Sequence, residues 1–255
     1  MGKEQAVKSR RLAKAQEHDE RKQSRYAAKA IGNDDYTLDD FTPIGDQEDI
    51  VRSMVWNDLT IINGPAGTGK TSTALWKALQ MLKAGDFRKL IFLKNPTEVG
   101  DDQIGFLSGD KTDKLAAHYE STKRIFHQFM KAQKLEADIA SGKIELNIPN
   151  YALGATWDNS IILVDEVQLM SPDTIKLLLE RTGMNSRIVV IGDIRQTYAI
   201  KRRANGLKDL VDRVVPFDEE GEERVPVVDF IGYVELQTSD NQRSRLSQFI
   251  TEVYQ

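Results

Sequence analysis

From Gly64 to Thr71 the chain reads Gly-Pro-Ala-Gly-Thr-Gly-Lys-Thr, the spacing G-x-x-x-x-G-K-[ST]. These residue types suit one task, holding a run of phosphates. Glycines let the backbone curl until successive N–H groups face an anion that a Cβ would keep at a distance. Lys70 would set a point charge on the β/γ-phosphates, and the Thr71 hydroxyl would take a Mg²⁺ coordination position. A helix starting here aims its positive end at the same anion. The nucleotide-binding stretch is therefore Gly64, Pro65, Ala66, Gly67, Thr68, Gly69, Lys70, Thr71 and Ser72.

A second constellation lies about a hundred residues on. Ile161–Ile–Leu–Val–Asp165–Glu166 is an apolar run that ends in two carboxylates. A buried strand whose first charge emerges at its C-terminal tip is what a Mg²⁺ partner of a phosphate loop requires. Asp165 would hold the metal through water, and Glu166 would polarise a water for in-line attack on the γ-phosphate. A small-molecule kinase has no use for such an activated water, so Glu166 favours hydrolysis. Asp193 and Gln196, in Gly-Asp-Ile-Arg-Gln, close another apolar run and would emerge beside the γ-phosphate. Lys201–Arg202–Arg203 follows, either a contact for nucleic-acid phosphates or a solvated helix start.

These tips need strands to carry them. Leu59–Asn63, Leu90–Lys94, Ile161–Asp165 and Ile188–Gly192 are near-continuous apolar runs, the pattern of parallel strands buried on both faces. Helical stretches at Thr71–Ala84, Ser171–Thr182 and Asn205–Asp212 separate them. The alternation predicts an α/β fold, a mostly parallel sheet with helices on both faces. Residues 99–150 form an insertion, with a helical stretch at Lys111–Lys134 and a short strand at Lys143–Ile148. Arg224–Phe230 and Tyr233–Leu236 read as sheet, and Arg243–Tyr254 as a closing helix.

The chain of 255 residues has no Cys, which excludes disulfides, thiolate nucleophiles and Cys-ligated metals. Its three histidines leave little for an imidazole cage. No apolar run approaches the roughly 18 residues of a spanning helix, and the expectation is a cytoplasmic chain without a membrane partner. The net charge of −4 conceals an asymmetry. Residues 1–30 carry nine Lys/Arg against four acids, so the remainder is at −9. The expected division is a basic arm at 1–36, partly disordered or helical, and a globular domain at 37–255. Such an arm either holds nucleic acid or is a solvated tail.

Several of these segments together resemble the PhoH family of P-loop ATPases, which are similar to the superfamily I helicase core. They are Gln47, GPAGTGKT, Pro96–Thr–Glu98–Val–Gly100, Gly105–Phe–Leu–Ser–Gly–Asp110, IILVDEVQ, GDIRQ and Asn241–Gln–Arg243–Ser244. The resemblance spans about 41–255 and implies a P-loop NTPase with a single RecA-like core. It implies that Gln47 reads adenine, that Gln196 senses the γ-phosphate, and that Arg243 brings positive charge to it across a subunit interface. Lys70, Glu166, Gln196 and Arg243 would then be the catalytic set, with Thr71 and Asp165 at the metal. Two departures stand out. Asn95–Pro96 replaces the family's Arg-Pro, and Gly154–Ala155–Thr156 replaces its Gly-Arg-Thr.

The leading expectation is Mg²⁺-dependent ATP hydrolysis coupled to binding or remodelling of RNA or single-stranded DNA. One core cannot step along a strand alone, so the count of cores and the resemblance together imply a homo-oligomer, a hexameric ring being one form. The alternatives are a small-molecule phosphotransferase and a nucleotide-switched binding protein with little turnover.

Overall fold

The computed structural model describes residues 35–95, 111–149, 154, 156–196, 205–242 and 244–253. Six strands form one sheet: β1 (Leu59–Asn63), β2 (Lys89–Lys94), β3 (Ile144–Asn147), β4 (Ser160–Asp165), β5 (Arg187–Gly192) and β6 (Ile231–Glu235). Their order is β3-β2-β4-β5-β1-β6 and every pairing is parallel. β5 therefore lies between the strand that feeds the phosphate loop and the strand that ends in Asp165–Glu166.

Each central strand is apolar on both sides because both sides are covered. Along β4, Ile161 and Leu163 enter one core while Ile162 and Val164 enter the other. The first core is closed by α1 (Gln47–Trp56), α2 (Lys70–Ala84), the end of α3 (Lys111–Phe126) and α4 (Ala132–Ala140). The second is closed by α5 (Pro172–Leu179) and α6 (Gly206–Val214). α7 (Arg245–Val253) follows β6. This is the P-loop NTPase arrangement, a single α/β core. No helix among the described residues is long and apolar enough to cross a membrane.

The four central strands begin within one residue of their expected starts, but three segments depart from the sequence reading. Helix α1 was not expected. The helical stretch at Lys111–Lys134 is broken into α3 and α4 by a turn at 127–130. Phe126 and Leu135 both point into the first core, yet nine residues of continuous helix would set them about 180° apart. Arg224–Phe230 is not a strand: its sheet-like contact is an isolated bridge from Arg224 to Phe217. Pro226 lacks the N–H that a ladder needs, and β6 begins only at Ile231.

The expected arm lies largely outside the described residues, which begin at Asp35. Its final residue, Tyr36, is packed on the body. The Tyr36 hydroxyl donates to Asp138 Oδ2 at 3.1 Å, and the Lys83 and Lys134 ammonium groups lie 5.4 and 5.6 Å from the ring centre.

Candidate nucleotide site

At the C-terminal edge of the sheet, β1 runs into the loop 64–69 and this runs into α2. The loop passes so close to the segment after β6 that a Cβ on Gly64 would stand 2.9 Å from the Leu236 carbonyl oxygen. Gly69 takes a left-handed φ of +82°, and a Cβ there would meet Gln47 Nε2 at 2.5 Å. Both positions demand glycine.

Every carbonyl of this loop is engaged by the protein. Lys70 Nζ donates to the oxygens of Gly64 and Pro65 at 2.6 Å each, and the Thr68 hydroxyl also donates to Pro65. Asn241 Nδ2 donates to Ala66 and the Gln242 N–H to Gly67. Gln47 Nε2 donates to Thr68 at 3.0 Å, and the Thr73 N–H to Gly69. A loop whose acceptors are all committed in this way presents its N–H groups to an anion.

Opposite the loop, the Thr71 hydroxyl donates to Asp165 Oδ1 at 3.1 Å, and the Glu166 N–H donates to the same oxygen at 3.1 Å. Lys94 lies 3.8 Å from Asp165 Oδ2, brought there because Lys94 and Asp165 pair at the ends of β2 and β4. Asp165 is 4% exposed. Burial lifts its carboxyl from 3.8 to about 6. The Glu166 charge adds to the rise, while Lys94, the Thr71 hydroxyl and the Glu166 N–H oppose it. Thr71 and Asp165 offer hard oxygen donors side by side. Mg²⁺ takes oxygen ligands and usually only one or two from protein, so this pair fits the ion.

Glu166 leaves the strand in a left-handed conformation, φ 57° and ψ 41°, a sparsely populated state for a residue with a Cβ. Its Oε2 accepts from Gln168 Nε2 at 2.7 Å. Gln168 Nε2 also donates to Gln196 Oε1 at 3.0 Å, and its Oε1 accepts the Asp193 N–H at 3.3 Å. One buried carboxamide thus joins Glu166, Gln196 and the end of β5. Asn63 fixes the same stretch from the other side, its Oδ1 accepting the Ile194 N–H at 3.0 Å.

Lys70, Thr71, Ser72, Asp165, Glu166 and Gln196 all line one cavity of about 510 Å³. Gln47 is not among its lining residues: it is 1% exposed and sits behind the loop. Arg243, Glu98, the stretch 96–110 and Lys201–Arg203 lie outside the described residues. Sequence reasoning missed the parts played by Gln168 and Asn63, and the lining by Lys94, Phe41 and Gln128. The Gln168 signal was present two residues after Glu166, but its other two partners, Asp193 and Gln196, follow β5, and the strand order is what brings them beside it.

A family model described as PhoH-like protein matches residues 44–255. A PhoH-like protein of Bacillus subtilis (strain 168) is 32% identical over 208 residues, 82% of this chain and 61% of that one. A PhoH-like protein of Synechocystis sp. is 31% identical over 209 residues, 82% of this chain and 60% of that one. Protein PhoH of Escherichia coli (strain K12) is 27% identical over 206 residues, 80% of this chain and 55% of that one. The chain thus spans 55% to 61% of the length of these relatives. Among solved structures, the Pyrococcus furiosus Hef helicase domain is similar with a TM-score of 0.45 and 13% identity, over 78% of this chain and 40% of that one.

Proposed function

The chain belongs to the PhoH-like protein family, and from that premise we propose that it hydrolyses ATP with Mg²⁺ and couples turnover to binding or remodelling of RNA or single-stranded DNA. One observation carries the hydrolytic part: an unbroken hydrogen-bond line from Thr71 through Asp165 and Glu166 to Gln168, Gln196 and Asp193.

The loop would receive the phosphates on its N–H groups, with Lys70 exchanging loop carbonyls for phosphate oxygens. Thr71 and Asp165 would hold Mg²⁺. Bound there, the ion would neutralise charge on the β- and γ-phosphates during transfer. Glu166 would orient the attacking water and take its proton. Gln168 restrains one of its carboxylate oxygens. A transferase to a small acceptor has no use for an activated water. Gln196 shares the Gln168 amide with Glu166, so movement at a γ-phosphate sensor reaches the base and β5 together.

The nucleic-acid part of the proposal is supported by the basic excess of residues 1–30. Coupled movement along a strand needs more than one core, which favours a homo-oligomer. Phosphate release from ATP, followed with and without Mg²⁺ and with single-stranded RNA or DNA at two salt concentrations, tests the whole reading. Mg²⁺-dependent release, stimulated by polymer and less so at high salt, is expected. Release indifferent to every polymer would remove the nucleic-acid part.

A further inference from the structure

The amphipathic pattern of α7 is reversed. Leu246, Phe249, Ile250 and Val253 fall at i, i+3, i+4 and i+7, on one face of the helix, and they are 44% to 69% exposed. A surface helix ordinarily turns such a stripe toward the core. Here a polar side chain ties the helix to the body. Gln248 Nε2 donates to the Asn241 carbonyl at 2.7 Å, while Asn241 and Gln242 bond the Ala66 and Gly67 carbonyls of the phosphate loop. The apolar face is left toward solvent.

A second apolar surface stands at the other end of β6. Between α6 and β6 the chain folds back on itself. The Val225 N–H donates to the Pro216 carbonyl, the Val227 N–H donates to the Val214 carbonyl, and Phe217 bridges Arg224. Phe217, Val225, Val227 and Phe230 are 48% to 56% exposed along this stretch. The turn between its two arms carries Asp218, Glu219, Glu220, Glu222 and Glu223, the four glutamates exposed. The first turn of α7 has the opposite character, with an exposed Arg245 beside the positive end of the helix.

We infer that the α7 stripe of one copy of this chain seats on the 214–230 surface of a second copy, with Arg245 of the first facing the acidic turn of the other. This names the surfaces of the homo-oligomer in the reading above and does not need its hydrolytic part. Apolar patches of this kind mark association sites, and charge decides what pairs with what. Joining like to like would set two acidic turns together, or two α7 N-termini together. Joining unlike faces sets cation against anion at the rim and apolar against apolar at the centre. Each copy then keeps one face of each kind for a further neighbour, so the contact is head-to-tail and closes into a ring or continues as a filament.

The test is the mass of the full chain by light scattering. The wild type should exceed one chain. Leu246→Glu with Phe249→Glu should reduce it to one chain, and so should Val225→Glu with Val227→Glu. Mixed, the two double variants retain one good pair of faces and should form a dimer that grows no further. The milder Phe249→Ser and Val227→Ser, their fold checked by circular dichroism, should weaken assembly in the same pattern. The inference is overturned if either pair of faces can be altered in folded protein with the wild-type mass kept, or if the mixture of double variants stays at one chain. A wild type that is itself monomeric removes the oligomer reading and this inference together. A wild-type oligomer indifferent to these substitutions removes this inference alone.

Discussion

Asp165 ends a strand with an apolar core, and its carboxylate sits buried among Glu166, Lys94 and the Thr71 hydroxyl. It titrates near 6 in the folded chain against 3.8 ordinarily. The native state therefore binds this proton more tightly than the unfolded state. Stability from this group is full below about pH 3.8 and is lost as the pH rises through about 6, a loss of roughly 3 kcal/mol. Asp165→Asn should raise the Tm at pH 8 without Mg²⁺ or nucleotide. It should also remove this component of the wild type's decline between pH 4 and pH 7, while abolishing Mg²⁺-dependent phosphate release. Thermal denaturation at both pH values beside a phosphate-release assay checks both halves. Gln168 makes a second case. Its amide touches Glu166, Gln196 and the Asp193 N–H, so Gln168→Leu should free the Glu166 carboxylate without disturbing the phosphate loop. Steady-state kinetics should return a kcat lower by roughly tenfold to a hundredfold, with KM for ATP little changed.

The elements hold these side chains through close backbone contacts. Gly206 opens α6 against the turn that carries Gln168; its N–H donates to the Met170 carbonyl, and a Cβ there would stand 2.5 Å from that oxygen. Backbone cannot yield as a side chain does. Gly206→Ala should destabilise the fold by about 2 kcal/mol or more, read as a lower urea midpoint. It should also lower kcat, because the turn at 167–170 must shift. The strands were legible because burial on both faces leaves an unbroken apolar run, and the carboxylate tips because the first charge after such a run is conspicuous. Helix α1 was not: two of its four buried residues, Gln47 and Ser53, are polar. The split of α3 from α4 was hidden because the turn residues Phe129 and Met130 are as apolar as a helix face. Within the site, Lys70, Thr71, Asp165 and Glu166 announced themselves by local spacing. Gln128 and Ser72 are 56 residues apart, and no local pattern joins them.

At the scale of the molecule, charge is divided between an acidic body and a basic N-terminal stretch. Residues 1–30 hold nine of the 35 cationic side chains. Removing residues 1–30 should leave basal ATP turnover within about twofold. Affinity for single-stranded RNA or DNA should fall, with the slope of log affinity against log salt reduced by about 0.7 for each phosphate that the arm no longer neutralises. The central claim is that this phosphate loop serves hydrolysis and that Glu166 is its base. It is tested most directly by measuring ATP binding and phosphate release side by side in the wild type and in Glu166→Gln. The account predicts ATP affinity within a few-fold of wild type and release slowed by about a hundredfold or more. Undiminished release in Glu166→Gln, or a wild type that binds ATP with Mg²⁺ and never turns it over, would contradict it.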